Sequence, residues 1–397
     1  MRENLSGILV IRAFGNEEHA EERFDQANND LTKVNLFVNR AMALMMPLLT
    51  FVMNIASIGI VWFAAKEVDL GNFRIGEMMA LIQYVMHIVM SFLFIAMIAI
   101  ILPRASVAAN RIYEVLSTEP KILDPSQPKE FDEAKKGLVE FDHVSFKYPD
   151  GEELVLVDAN PGAHEAVLED ITFTAYPGKT TAFIGSTGSG KSTLINLIPR
   201  FYEATTGSIK IGGVDVRDVK QSDLRSKIGL VPQKGVLFTG TIESNIKYGA
   251  PELTEEQMNE VIRISQAKEF IDNKELGVKE EIAQGGTNVS GGQKQRLCIA
   301  RAIASHPEVL VFDDSFSALD YKTDKKVREN LKENFGDVTK FIVAQRIGTI
   351  MDANQIIVLD EGQVVGQGTH EELLKNCDVY REIALSQLSK EELGLYE

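Results

Sequence analysis

Two stretches of the 397-residue chain combine residue types suited to handling a polyphosphate. GSTGSGKS, Gly185 to Ser192, fits the pattern G-x-x-x-x-G-K-[ST], after the apolar TTAFI and before STLINLI. A strand before and a helix after are the context this pattern needs. Gly185, Gly188 and Gly190 let the backbone N–H groups of the loop, which also holds Ser186, Thr187 and Ser189, turn inward around phosphate oxygens. The helix beginning near Lys191 adds its positive end. Lys191 supplies a point charge, the Ser192 hydroxyl suits Mg²⁺, and Thr193 completes the loop. The second stretch is VLVFDDSFSALD, Val309 to Asp320, an apolar strand ending in two acids. Asp313 is placed to hold Mg²⁺ through water, and a second acid, Asp314, follows it directly.

These residues need a sheet behind them. From Leu138 the chain reads as strands with turn punctuation, and after Gly185 strands and helices alternate, so an α/β domain is expected. DGEELVLVDANPGAHEA, Asp150 to Ala166, reads as an elongated hairpin loop or small insertion. The first part of the chain differs. Residues 41–65 hold no charge, and residues 78–102 hold no Asp, Glu, Lys or Arg, with His87 the one basic group. Each run can cross a bilayer core of about 30 Å as a helix. Lys66 to Glu77 reads as a tight turn between two antiparallel spans. Arg23, Lys33, Arg40, Arg104 and Arg111 flank the outer ends, against Lys66 and Arg74 in the turn, which puts both ends in the cytoplasm. Residues 117–137, rich in proline, lysine and acid, read as a linker.

The net charge of −16 lies almost wholly beyond residue 116 and disfavours nucleic acid as a partner. Cys298 and Cys377 lie far apart without metal spacing, which fits a reduced cytosolic domain. Nine of the twelve methionines fall between Met42 and Met97. They suit either a cavity for varied apolar molecules or ordinary packing and lipid contact. No secretory signal is visible.

NVSGGQKQR, Asn288 to Arg296, is a second anion nest that one triphosphate does not require. With it the sequence resembles the ATP-binding cassette (ABC) exporters that carry membrane and nucleotide domains on one chain. The likeness runs from residue 1 to about 388. It implies a transmembrane α-helical hairpin, the last two of six spans, then an α/β P-loop NTPase cassette with a helical subdomain at about 234–300. The membrane part would be residues 1–116, with a coupling helix at about 13–24. The cassette would be 138–388 and the tail 389–397.

By resemblance Tyr148 stacks on adenine, with a plain core aromatic as the alternative. Gln233 touches Mg²⁺ and the attacking water. Ser290, Gly291, Gly292 and Gln293 form the signature that closes over a partner chain's ATP, and Asp320 ends a loop that crosses the interface. Two positions depart from the family: Asp314, in the place of the acid that polarises the water attacking the terminal phosphate, stands where Glu is usual, and Gln345, which can donate a hydrogen bond to that phosphate, stands where His is usual. Asp carries its carboxylate one methylene nearer the backbone, and Gln cannot become cationic. Such paired departures resemble the degenerate-site subunit of bacterial heterodimeric multidrug exporters.

The expectation is a multi-pass subunit of the cell membrane, N-terminally incomplete, which binds ATP and Mg²⁺ at a slow site. It would complete a partner half-transporter's site and move hydrophobic small molecules across the lipid bilayer. A homodimer with an active Asp314, and a regulatory ATP-binding membrane subunit, are the alternatives.

Overall fold

The structure, a computed structural model, describes Glu3, Leu5 and residues 7–149 and 166–393. The Asp150–Ala166 insertion expected from sequence lies, except for Ala166, outside the described residues. The chain divides into two compact units, Met1–Glu119 and Pro120–Glu397.

The first unit is helical. A short helix, Ile8–Ala13, precedes a helix of 53 residues, Glu17–Asp69, and one of 43 residues, Ile75–Ser117. At 1.5 Å per residue each is at least twice as long as a ~30 Å bilayer core, so both continue far past the apolar runs. The turn is tighter than expected. Lys66–Asp69 still belong to the first helix and Ile75–Glu77 open the second, leaving Leu70 to Arg74 to reverse the chain. Gly71 supplies the positive φ of 76°, and the Glu77 carboxylate accepts the Arg74 N–H at 2.9 Å. Residues 13–24, expected as a coupling helix, do not form an element of their own. Ala13 ends one helix and Glu17–Phe24 begin the long one, because the acidic stretch has helix-forming composition and no breaker after Asn16. The apolar side chains of both long helices are largely exposed; among the described residues of this unit only Ala64 is buried.

The second unit contains the strands β1 (Val139–Phe146), β2 (Leu168–Ala175), β3 (Thr180–Gly185), β4 (Thr206–Ile211), β5 (Val214–Asp215), β6 (Ile228–Val231), β7 (Gly240–Thr241), β8 (Glu281–Ile282), β9 (Val309–Asp313), β10 (Thr339–Val343), β11 (Gln355–Asp360) and β12 (Gln363–Gly368). An antiparallel sheet runs β2-β1-β4-β5; a second sheet runs β12-β11-β3-β10-β9-β6, parallel except where β12 pairs with β11. β7 and β8 form a small ribbon.

The parallel strands are apolar on both faces because both faces are covered. In β9, Val309 and Val311 pack toward the antiparallel sheet, whereas Leu310 and Phe312 pack with the helical subdomain. β11 divides likewise, Ile357 and Leu359 against Ile356 and Val358. The helices Ile242–Ile246, Glu255–Ile264, Lys268–Asp272 and Gly291–Ala304 lie between β6 and β9 in the chain, where the helical subdomain was expected. Leu393, within the stretch expected as a tail, is buried in the core that holds Leu310 and Phe312.

Phe312 is fully buried and its ring lies 5.1 Å from that of Phe316. Phe312→Ala is expected to destabilise the second unit by about 3–5 kcal/mol, whereas Val365→Ala, on the exposed side of β12, is expected to change little. Thermal unfolding of the detergent-solubilised chain checks the contrast.

Candidate nucleotide site

The site forms where the parallel strands end. Register aligns Val343 of β10 with Phe183 of β3 and with Asp313 of β9. The Asp314 N–H donates to the Val343 carbonyl at 3.0 Å, and Ala344 N–H to the Phe183 carbonyl at 3.2 Å. These pairings bring Gly185, Asp313, Asp314 and Gln345 to one edge.

The phosphate loop is shaped by close backbone approach. A Cβ on Gly185 would lie 2.0 Å from the Leu359 carbonyl oxygen of β11, so only glycine fits. Gly190 has φ of 92°, and a Cβ there would meet Leu168 Cδ2 at 2.6 Å. The loop therefore rests on a side chain of the antiparallel sheet, a contact with no sequence signature. Ser186, Thr187 and Gly188 are exposed and Ser189 is buried. The helix Lys191–Leu197 follows at once, so its first-turn N–H groups have no carbonyl one turn earlier to bond.

Lys191 Nζ donates to the Gly185 carbonyl at 3.0 Å, the Ser186 carbonyl at 2.6 Å and Ser189 Oγ at 3.2 Å. All three ammonium donors are thus held on the loop itself, a set that phosphate oxygens can replace. Burial lowers the Lys191 pKa, and the carboxylates of Asp313 and Asp314 oppose this. The Ser192 hydroxyl donates to Asp313 Oδ1 at 3.1 Å. Asp313 is buried, and burial raises its carboxyl to about 6, against the hydrogen bond from Ser192. Among the described residues no group of three or more His, Cys, Asp or Glu could hold a metal alone. The Ser192–Asp313 pair fits a hard divalent cation that takes its other ligands from phosphates and water, as Mg²⁺ does.

Asp314 sits in a strained turn, φ 43°, and is half-buried. Its Oδ2 accepts from Gln345 Nε2 at 3.1 Å and lies 3.5 Å from Gln233 Nε2. Burial raises its pKa, opposed by the hydrogen bonds from Gln233 and Ser317 and by the charges of Arg346 and Lys191. The Gln345 amide thus engages the neighbouring acid. Tyr148 is half-buried, packs edge-on against Phe146 and Tyr202, and shares a 2.8 Å hydrogen bond with Thr193 Oγ1. That bond ties the aromatic to the phosphate-loop helix, and nothing in the sequence pattern announced it.

The signature residues lie elsewhere. Ser290 caps the helix Gly291–Ala304: its Oγ accepts from Gln293 N–H at 3.3 Å while Gln293 Oε1 accepts from Ser290 N–H at 3.0 Å. Ser290 and Gly291 are exposed, and a Cβ on Gly292 would lie 3.1 Å from the Ala318 carbonyl. Gly292 thus lies close against the 317–320 loop. Asp320 caps the next helix, Tyr321–Asn334, accepting from the N–H and hydroxyl of Thr323.

Two family descriptions match this chain: ABC transporter, over residues 168–317, and ABC transporter transmembrane region, over residues 1–92. A solved structure of a bacterial Atm1-family ABC exporter with ATP bound superposes with a TM-score of 0.82 at 26% identity, over 98% of this chain and 66% of that one. The fold is that of an ABC exporter. It joins a membrane region to an ATP-binding domain that lies in the cytoplasm.

An uncharacterized ABC transporter ATP-binding protein of Mycobacterium tuberculosis is 44% identical over 98% of this chain and 65% of its own length. A fatty acid ABC transporter ATP-binding/permease protein of the same species is 34% identical, over 96% and 58%. A probable multidrug resistance ABC transporter ATP-binding/permease protein of Bacillus subtilis is 33% identical, over 96% and 63%. The chain thus spans about two thirds or less of the length of these relatives.

Gly190→Ala is expected to abolish measurable ATP binding without unfolding the chain, because φ and Leu168 both exclude a side chain. Metal-dependent ATP affinity is expected to fall as pH drops below about 6, since a cation needs the ionised Asp313. Asp313→Asn removes that metal dependence at every pH. Titrations of a fluorescent ATP analogue with and without magnesium, at pH 5 and 7.5, check both.

Proposed function

We propose that this chain is a subunit of an ATP-driven exporter whose own site holds ATP and Mg²⁺ but cleaves slowly. It lends its signature to the faster site of a partner half-transporter. The observation that carries this reading is the Asp314 carboxylate, one oxygen of which faces two neutral amides, Gln345 and Gln233. An acid engaged in this way is a weak acceptor for a water proton, and its short side chain reaches less far. A misplacement of order 1 Å costs about a hundredfold in rate. The binding parts are intact: the glycine cradle, Lys191, Ser192 and Asp313. Ser290 uses its oxygen to cap and keeps its hydroxyl proton to donate to an anion beyond the chain.

Closure of two cassettes over ATP would drive the membrane helices, and hydrolysis at the partner's site would reset them. The cargo class is hydrophobic or amphipathic small molecules. Support comes from the two apolar helices, their methionines and the substrates named for the fatty acid and multidrug relatives.

A second reading, a homodimer with a working Asp314, is favoured by one observation. Burial raises the Asp314 pKa, the direction a general base requires. ATPase assays separate the two. With the partner chain, Ser290→Ala is expected to lower turnover about tenfold or more, and Asp314→Asn less than about twofold. Brisk turnover by the isolated chain, abolished by Asp314→Asn, would transfer the assignment to the homodimer. In the isolated chain, joint Asp314→Glu and Gln345→His is expected to raise hydrolysis by about tenfold or more.

A further inference from the structure

Part of the stretch 117–137, read from sequence as a linker, is hydrogen-bonded to the nucleotide-binding unit. Arg200 Nη2 donates to the Leu123 carbonyl at 3.1 Å. Gln221 donates from its backbone N–H to Asp124 Oδ1 at 2.9 Å, and from its side chain to the Ile122 carbonyl at 3.2 Å. Lys129 bonds Asp218 through its backbone N–H at 2.8 Å and its ammonium at 2.7 Å. Phe131 packs on the core edge, with Lys227 Nζ 4.9 Å from its ring centroid.

These fastenings differ in kind. The Lys129–Asp218 ion pair is exposed and holds little. Arg200 is 4% exposed and stands three residues beyond the end of the helix Lys191–Leu197, which begins in the phosphate loop. Its backbone has φ of 53°, held by Arg225, which donates to the Pro199 and Arg200 carbonyls, each at 3.2 Å. Its Nε and Nη2 both reach Glu203, and its Nη1 is buried without a hydrogen-bond partner among the described residues. A strained backbone carrying a buried, incompletely paired guanidinium is a poor choice for stability alone. It suits a group that exchanges partners between two arrangements.

We propose that Arg200 is a positioning residue, a latch that passes nucleotide occupancy of the phosphate loop to the linker of the same chain. The proposal rests on the ATP-binding reading of that loop. When phosphate draws Lys191 from the Gly185 and Ser186 carbonyls, the short helix reseats and carries Arg200 with it. The Leu123 carbonyl follows, and the idle Nη1 gains a linker carbonyl as a second acceptor. Only residues 118–121 separate this clamp from the end of the helix Ile75–Ser117.

Hydrogen–deuterium exchange of the full chain in lipid nanodiscs, with and without Mg-ATP, tests the latch. In the unaltered chain ATP is expected to slow exchange across residues 118–126 by about threefold or more. Arg200→Gln is expected to keep ATP affinity within about twofold while the linker exchanges fast and ignores ATP. Gln221→Ala, which loosens a neighbouring clamp, is expected to speed linker exchange yet preserve the response to ATP. If Arg200→Gln fails to fold, Arg200→Lys, which keeps the charge but loses the fork, is expected to show a reduced response. A full response in whichever Arg200 variant folds, or none in the unaltered chain despite bound ATP, overturns the latch. Failure of the unaltered chain to bind ATP would overturn the nucleotide reading and the latch with it.

Discussion

The parallel register of β3, β10 and β9 is the constraint on which the site depends. Because Val343 lies level with both Phe183 and Asp313, β9 and β10 end level and β3 two residues further on, which brings the residues at these strand ends to one edge. Slipping one strand by a residue would reverse which side chains face each core and would part Asp313 from Ser192. The Val and Ile residues that fill β9 and β11 therefore do more than stabilise the sheet. By packing on both faces they lock the register, and the register places the carboxylates.

Within that frame, holding and cutting a phosphate depend on different features. Holding relies on backbone, on the glycines whose missing Cβ atoms admit Leu359 and Leu168, and on a lysine already desolvated and bent over the loop. On the proposed reading, cutting would rely on the reach and basicity of one side chain. Asp314, short, in a left-handed turn and faced by two amides, would then leave the cradle intact while restraining the base. The same low-dielectric setting that raises the Asp313 pKa favours a divalent cation beside it, because a metal offsets the cost of the buried negative charge.

The sequence disclosed the parts with strong local rules. The phosphate loop, the strand ending in Asp313 and the α/β order follow from glycine spacing and hydrophobic pattern, and the structure has them where they were expected. The membrane helices were recognised by their uncharged runs but under-measured. Residues 17–40 are polar yet helix-forming, and periodicity alone does not say that such a segment continues an apolar helix without a break. The fastening of the linker was not legible at all. It relies on carbonyls of Ile122 and Leu123, which every residue type possesses, and on partners roughly a hundred positions away. The meeting of Gln345 with Asp314 was hidden for a similar reason, since only strand pairing brings residues 31 positions apart to one oxygen.

Ser290 carries a further consequence. A surface serine ordinarily samples several rotamers, and a ligand that needs its hydroxyl must freeze one of them. Here the reciprocal bonds with Gln293 do that freezing as the helix forms. An approaching anion would therefore meet an oxygen already in place, with only the rotation of its O–H bond left to settle. Sensitivity of that capture should then track the integrity of one helix end, so that a change at Gln293 would act through the cap as well as through any contact of its own.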